Sequence, residues 1–419
     1  MNNTPKSLRL QIGLFGRTNV GKSSFLNLIS GQDVAIVSSI PGTTTDVVEK
    51  SMELLPIGPV VFLDTAGIDD ISVLAAERLR MTSKVYDRAD IIVLVIEARS
   101  WGEYEQRVAD EAKKRNTPLV IVINKIDISR PDSTFLLTLS QITPLVMECS
   151  CVDKSIRESI ISEFKRHIIE SCPDDFLNPP PLIGNLVRSG GLAVLIVPID
   201  LEAPKGRLIL PQVQTIRDIL DNDAGAMIVK EREYADFLQK TGLRPDIAVC
   251  DSQVVHKMVA DTPPGIPCTT FSILFSRNKG DLVTAARAAA AIETLDPGDK
   301  VLIAESCSHH PIEDDIGRVK IPRWLRQYVG GDLTIDTYAG RDYPDSLSEY
   351  KVVIHCGGCM LNRREMLSRI EIAKQHGVPI TNYGIAISLT QGVLQRVLSP
   401  FPAALAAYHD EINRKRGEK

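Results

Sequence analysis

Gly16-Arg-Thr-Asn-Val-Gly21-Lys22-Ser23 has the spacing G-x-x-x-x-G-K-[ST], between an apolar stretch at Leu8–Phe15 and a helical pattern at Lys22–Ser30. These residue types suit polyphosphate chemistry. Glycines let backbone N–H groups approach phosphate oxygens, and a helix starting there turns its positive end toward them. Lys22 can reach the β- and γ-phosphates, and the Ser23 hydroxyl can hold Mg2+. Val20, Gly21 and Ser24 belong to the same phosphate-binding stretch. Downstream, Asp64-Thr-Ala-Gly67 closes an apolar strand, where Asp64 can orient Mg2+ through water and the Gly67 amide can sense a γ-phosphate. Between these segments, Gly42-Thr43-Thr44-Thr45-Asp46 reads as a mobile loop. Thr43 and Thr44 are its candidate nucleotide contacts, with Thr44 completing the Mg2+ shell when a triphosphate is present.

Asn124-Lys125-Ile126-Asp127 follows the apolar run Leu119–Ile123. The Asp127 carboxylate can accept from guanine N1–H and the 2-amino group. Adenine lacks both donors, and a carboxylate left unpaired beneath a base is costly, so this residue selects G over A. Ser150-Cys151, after another short strand, would support the base from its backbone. Together these segments resemble the P-loop GTPase signatures, which implies GTP and GDP as ligands. Ile68 stands after Asp-x-x-Gly, where Ras-like GTPases carry a water-orienting Gln, so intrinsic hydrolysis should be slow without another group or ion. Asn19, with Ser39-Ile-Pro-Gly-Thr-Thr, resembles the potassium-activated branch that includes tRNA-modifying GTPases. That resemblance implies an Asn19 carboxamide oxygen on K+, beside Lys22 and Thr44 as the catalytic set.

A second chemistry-bearing group lies near the far end. Cys307-Ser-His309-His310 follows a strand at Val301–Ala304, and His355-Cys356-Gly-Gly-Cys359 ends another at Val352–His355. Strand C-terminal ends of an open parallel sheet converge on a crevice, so the two clusters can meet there. Gly357-Gly358 permits a tight turn. Thiolates suit iron–sulfur or zinc rather than Mg2+ or Ca2+, and C-x-x-C also supports disulfide exchange. On spacing alone all three readings remain open. Cys149, Cys151, Cys172, Cys250 and Cys268 are scattered, and Cys250 and the lone His256 read as packing residues.

Alternating apolar strands and helices must position these groups. Strands are expected at Leu8–Phe15, Val60–Leu63, Ile91–Ile96, Leu119–Ile123 and Leu145–Met147. Helices are expected at Lys22–Ser30, Val73–Tyr86, Glu103–Arg115 and Lys154–Ile169. Continuous apolar strands separated by helices indicate a parallel sheet covered on both faces. Asn178-Pro-Pro-Pro181 breaks the pattern and marks a boundary. The remainder reads as two more α/β units. The first has strands at Ala193–Ile199, Ala226–Val229 and Ile247–Cys250, with helices at Gln212–Asp221 and Glu231–Lys240. The second has strands at Val301–Ala304, Leu333–Thr337, Val352–His355 and Pro379–Asn382. Its helices are expected at Asp281–Glu293, Arg323–Val329, Arg364–His376 and Ala386–Val397, with a frayed tail at Asn413–Lys419. The fold class is therefore α/β: a P-loop GTPase domain (1–172) and two further domains with mostly parallel sheets (182–268 and 279–405).

The 419 residues carry a formal charge of −5, with 44% hydrophobic and 24% charged residues. That balance gives no basic signature for a nucleic-acid partner. The apolar run Ile91–Ile96 is far short of the ~18 residues that span a bilayer. No signal peptide is read at the start, and eight cysteines are too sparse for a disulfide scaffold. A cytoplasmic protein is expected, without nucleic-acid or membrane partners.

A GTPase followed by Cys307-x-His309 and His355-Cys356-x-x-Cys359 resembles, over essentially the whole chain, the HydF family of GTPases that mature iron-only (FeFe) hydrogenases. The resemblance implies a middle dimerisation domain and a homodimer or higher homo-oligomer. It also implies a 4Fe-4S cluster on Cys307, Cys356 and Cys359, with His309 or His355 at the fourth iron position or just behind it. It further implies a scaffold that receives a diiron precursor from radical S-adenosylmethionine maturases and delivers it to apo-hydrogenase. The alternative is a tRNA-modification or ribosome-associated potassium-activated GTPase with a zinc-binding C-terminal domain.

Overall fold

The structure, a computed structural model, describes residues 4–30, 48–65, 75–178, 180–198, 208–306, 315–340, 343–344 and 346–417. It divides into two compact units, Met1–Pro179 and Pro180–Lys419, and the division falls within the run of three prolines.

In the first unit the strands are β1 (Leu10–Phe15), β2 (Val48–Leu54), β3 (Gly58–Asp64), β4 (Ile91–Glu97), β5 (Leu119–Asn124) and β6 (Val146–Glu148). They form one sheet in the order β2-β3-β1-β4-β5-β6. All neighbours are parallel except β2, which runs antiparallel to β3 with Leu54 opposite Gly58. The central strands are apolar throughout because both faces are covered. Ile91, Val93 and Val95 enter one core layer, and Ile92, Leu94 and Ile96 enter the other.

Besides the short helical turns Lys6–Leu8 and Asp174–Leu177, two longer elements of this unit escaped the sequence reading. The edge strand β2 is mostly polar, with Glu49, Lys50 and Ser51 in succession, so it offers no apolar run and no clean alternation. The helix Ser133–Ile142 buries only Leu139 fully, which blurs its period, although Asp132 caps it by accepting from the Phe135 amide at 2.9 Å. The helix expected at Lys154–Ile169 begins as a 3-10 turn, Lys154–Ile156, and continues as Arg157–Ser171.

The second unit holds two four-stranded sheets, parallel throughout. One contains β7 (Leu192–Ile196), β8 (Gly225–Val229), β9 (Ile247–Cys250) and β10 (Cys268–Thr270), in the order β10-β9-β7-β8. The other contains β11 (Lys300–Ala304), β12 (Thr334–Tyr338), β13 (Val352–His355) and β14 (Ile380–Asn382), in the order β12-β11-β13-β14. A single hydrophobic cluster runs through both, from Val194 and Val249 by way of Phe275 to Ile303, Ile354 and Ile385. The helix Phe271–Lys279 lies along this join. Asn382 Nδ2 donates to the Ser272 carbonyl at 2.9 Å, and the Gly384 amide donates to Ser272 Oγ at 3.1 Å. A Cβ at Gly384 would come within 2.8 Å of both Ser272 Cβ and Thr270 Oγ1, so only glycine permits this approach.

Three further expectations need correction. Ala386–Val397 is not one helix but two, Tyr383–Thr390 and Leu394–Leu398, parted where Gly392 takes a φ of 73°. The tail is helical from Pro402 to Gly417 rather than frayed through its charged end. Its Ala404, Ala407, Tyr408 and Ile412 are buried, and Lys415 Nζ donates to the Ala290 carbonyl at 3.3 Å. Cys250 is buried in the core as expected, but His256 is exposed on the helix Val255–Asp261 and packs no core. Among the described residues, no helix is long and apolar enough to cross a membrane.

Candidate functional site

Strand β1 ends at Phe15, and the chain turns through Gly16–Gly21 into the helix Lys22–Ser30. Two glycines make that turn possible. At Gly16 (φ 148°) a Cβ would lie 2.4 Å from the Val95 carbonyl oxygen, and at Gly21 (φ 94°) it would lie 2.3 Å from Asn124 Nδ2. Lys22 Nζ folds over the loop and donates to the Gly16 and Arg17 carbonyls at 2.7 and 2.9 Å. Asn19 is exposed at the loop crest with φ 64°, and Ser23 and Ser24 are exposed in the first helical turn.

The segments expected to recognise the base meet this loop directly. Asn124, at the end of β5, donates from Nδ2 to the Val20 carbonyl at 2.8 Å. Lys125 Nζ donates to the Asn19 carbonyl at 2.7 Å and pairs with Glu97. Asp127 accepts from Ser150 Oγ at 2.6 Å, and Cys151 Sγ lies 3.3 Å from Asn124 Oδ1. The Ser150 and Cys151 side chains thus brace Asp127 and Asn124, an arrangement the expectation of backbone support alone did not include. Asp127 is exposed, so a penalty for an unpaired carboxylate applies only once a base covers it. Asp64 closes β3 with Lys50 Nζ 3.8 Å away. Burial raises its carboxyl above the usual range, against the opposing charges of Lys50 and Lys22. Thr43, Thr44, Thr45, Gly67 and Ile68 lie outside the described residues.

Two residues that fasten the loop were missed in the sequence. The Gly16 amide donates to Tyr104 Oη at 3.1 Å, and the Arg17 guanidinium grips Glu105 through both oxygens at 2.7 and 2.8 Å. Glu105 also accepts from the Gly102 amide at 2.9 Å. The available signal was a carboxylate on an apolar stripe, since Glu105 shares the buried face of its helix with Val108, Ala109 and Ala112. Burial works to raise the Glu105 carboxyl, but the Arg17 and backbone hydrogen bonds outweigh it and hold the group below its ordinary value of 4.5. A depressed folded-state value adds stability above about pH 4.5 that is lost as pH falls through the folded value. Replacing Glu105 with Gln should therefore lower stability by about 1–3 kcal/mol at pH 7. It should also flatten the acid limb of the unfolding curve, as read by thermal melts between pH 3 and 7.

At the other end of the chain, β11 and β13 lie side by side with Ala304 opposite His355. Beyond them the Cys356 amide donates to the Ala304 carbonyl at 2.9 Å. The Cys356 sulfur accepts from the Ser306 amide at 3.1 Å and lies 2.8 Å from Ser306 Oγ. Ser306 directly precedes Cys307, which lies outside the described residues, as do His309 and His310. Among the described residues, no three Cys, His, Asp or Glu side chains gather as a metal site. Gly358 turns the loop with φ 65°, and a Cβ there would strike Met366 Cε at 2.5 Å.

His355 is 2% exposed. Its Nε2 lies 2.9 Å from Arg369 Nη1 and its Nδ1 lies 2.8 Å from the Cys356 carbonyl. Arg369 can only donate, so Nε2 accepts and Nδ1–H is the donor to the carbonyl. Burial and Arg369 push the imidazole down to about 3, opposed by the carbonyl, so it is neutral. Both ring nitrogens are engaged within the protein, an arrangement that orients the Cys356 backbone.

Lys279, also missed in the sequence, lies beneath the Cys356–Cys359 turn and is 3% exposed. It donates to the carbonyls of Gly358, Cys359 and Leu361 at 3.2, 3.1 and 2.9 Å. Burial pushes its ammonium down to about 8, against the pull of Cys359 and Cys356. Burial, then Cys356, raises the Cys359 thiol, with Lys279 opposing. Soft sulfur donors above a buried cation and a sulfur-directed backbone N–H form a donor set that fits an anionic metal–thiolate centre.

The sequence model described as 50S ribosome-binding GTPase matches residues 11–125. The hydrogen maturase F dimerization domain matches 182–280, and the hydrogen maturase F tetramerization domain matches 283–400. The tRNA modification GTPase MnmE of Synechocystis sp. is 43% identical over 128 residues, 29% of this chain and 27% of that protein. The MnmE of Acetivibrio thermocellus is 34% identical over 160 residues, 38% of this chain and 33% of that protein. The chain thus spans between about a quarter and a third of the length of these curated relatives. Among solved structures, Aquifex aeolicus Era bound to GDP and AlF4− aligns with a TM-score of 0.32 at 18% identity, covering 55% of this chain and 97% of that one. The G domain of the T. maritima FeoB iron transporter aligns with a TM-score of 0.30 at 20% identity, covering 39% and 98%. With a GTPase domain in front and both hydrogen maturase F oligomerisation domains behind it, the chain belongs to the hydrogen maturase F (HydF) family of hydrogenase-maturation GTPases.

Proposed function

We propose that this GTPase is a maturation scaffold. It binds a 4Fe-4S cluster on Cys307, Cys356 and Cys359, carries the diiron precursor of the FeFe-hydrogenase active site as cargo, and transfers it to apo-hydrogenase. Radical S-adenosylmethionine maturases supply that cargo, and the work is done in the cytoplasm by a homo-oligomer. Residues 1–172 form the GTPase domain, 182–268 the dimerisation domain and 279–405 the cluster-binding domain. The observation that carries this reading is the buried Lys279 ammonium beneath the Cys356–Cys359 turn, taken together with the Ser306 amide aimed at the Cys356 sulfur. A fixed cation favours sulfurs held as thiolates, the form in which they bind metal.

In the first unit, Lys22 leaves its loop carbonyls for the β- and γ-phosphates, and Gly16, Val20 and Gly21 present backbone to them. Ser23 and Thr44 hold Mg2+, with Asp64 behind a bound water, while Thr43 and Gly67 read the γ-phosphate. Asn19 holds K+ from the exposed loop crest. Asn124, Lys125 and Asp127 hold guanine, steadied by Ser150 and Cys151. The two cations supply charge stabilisation to the phosphoryl transition state. In the second unit the cluster, when bound, supplies an iron coordination site to which cargo can attach. His309 is a candidate for that site. His355, with Arg369 and the Cys356 carbonyl on its ring nitrogens, serves better in the shell behind it.

MnmE-like identity is confined to a GTPase-sized stretch, and hydrogen maturase F domains occupy the rest. That weighs against a tRNA-modifying or ribosomal role with a zinc site. One anaerobic preparation tests both halves. Reconstitution with iron and sulfide should give four irons per chain and a paramagnetic signal on reduction. GTP turnover should fall roughly tenfold or more when KCl is replaced by NaCl, a loss of about 1.4 kcal/mol of transition-state stabilisation. Uptake of one zinc without iron would overturn the cluster reading, and equal rates in the two salts would remove Asn19 from the catalytic set.

A further inference from the structure

Lys279 is the last residue of the helix Phe271–Lys279, and only 3% of its surface reaches solvent. Its three ammonium protons match three acceptors, the carbonyls of Gly358, Cys359 and Leu361, all on the loop that begins at Cys356. The ammonium also lies 5.6 Å from the centroid of the Phe275 ring. Among the described residues, no carboxylate lies within ion-pair distance of it. Carbonyl dipoles, a ring face and the helix C-terminus offer only partial negative charge, whereas a buried ammonium ordinarily has a full counter-charge. The groups nearest the loop that can become fully anionic are the Cys356 and Cys359 thiols, once they act as ligands.

We propose that Lys279 is a positioning residue that clamps the Cys356–Cys359 loop and holds a buried positive charge that raises the reduction potential of the cluster bound there. The inference rests on the iron–sulfur reading above. Reduction adds one electron to an already anionic centre. A fixed cation in a poorly solvated place stabilises that added charge far more than an exposed one would. The loop carbonyls fix the distance between the cation and the sulfurs, so clamp and charge act together.

The test is a redox titration followed by electron paramagnetic resonance on anaerobically reconstituted full-length protein. It compares the natural chain with Lys279→Met and Lys279→Arg. Met keeps the length and apolar stem without the charge, and should lower the ratio of reduced to oxidised cluster at least tenfold at a fixed potential. That change corresponds to about 59 mV for a one-electron couple. Arg should remain close to the natural value. Loss of cluster in Lys279→Met with retention in Lys279→Arg would equally support a requirement for charge. An unchanged potential in Lys279→Met overturns the proposal, and so does an equal drop in both variants or loss of cluster from both. If the natural chain itself takes up no iron, it is the cluster reading that fails. Its iron content establishes this before any variant is compared.

Discussion

Asp127→Asn is expected to weaken GTP binding by two to four orders of magnitude, on the order of 3–6 kcal/mol for two hydrogen bonds to a charged acceptor. The side chain is exposed and pre-aimed by Ser150 Oγ at 2.6 Å, so the substitution should leave the fold intact. An amide in the same place can accept from a purine N1–H and donate to a 2-oxo group. Binding should therefore pass from GTP to xanthosine triphosphate. Competition of each triphosphate against a fluorescent GDP analogue reads both effects. Undiminished GTP affinity would remove Asp127 from the base site, and with it the argument for guanine over adenine.

The second large effect concerns Cys356. Its sulfur accepts from the Ser306 amide, and its backbone is held by the Ala304 carbonyl on one side and by His355 on the other. Cys356→Ala removes the sulfur and leaves these backbone bonds in place. Iron retained after reconstitution should then fall to background and the reduced-cluster signal should vanish, while GTP turnover stays measurable because the nucleotide residues lie in the first unit. Full iron content in this variant would mean that the cluster sits elsewhere. A parallel experiment on Cys250→Ala, a core position with no proposed ligand role, should leave iron loading intact.

Much of the architecture could be read from pattern, for reasons visible in particular elements. Strands such as β4 are buried on both faces, and their unbroken apolar runs stand out against amphipathic helices. Edge strand β2 carries Glu49, Lys50 and Glu53 on a half-exposed surface, and nothing local separates it from a loop. The terminal helix was masked by its charges. Its buried Ala404, Ala407, Tyr408 and Ile412 decide the outcome, and they become legible only once the surface they meet is known. The GTPase domain was readable from its phosphate loop, because that chemistry requires given residue types at short spacing. Lys279 was not. A lysine at a helix end is normally a solvated charge favoured by the helix terminus, and its burial depends on a loop some 80 positions away in the chain. Glu105 is intermediate, since the carboxylate on an apolar stripe was visible but its partner Arg17 was 88 positions distant.

The continuous core of the second unit has a thermodynamic consequence. Val249 in one sheet and Ile354 in the other share a single apolar interior, and Gly384 packs against Ser272 too closely for any other residue type. Such a body should melt in one transition rather than two, as calorimetry of the second unit's unfolding would read. A ligand that binds the Cys356–Cys359 end only in the folded chain should thus lend its binding energy to strands β7–β10 as well, so that occupancy at one sheet is felt in the durability of the other.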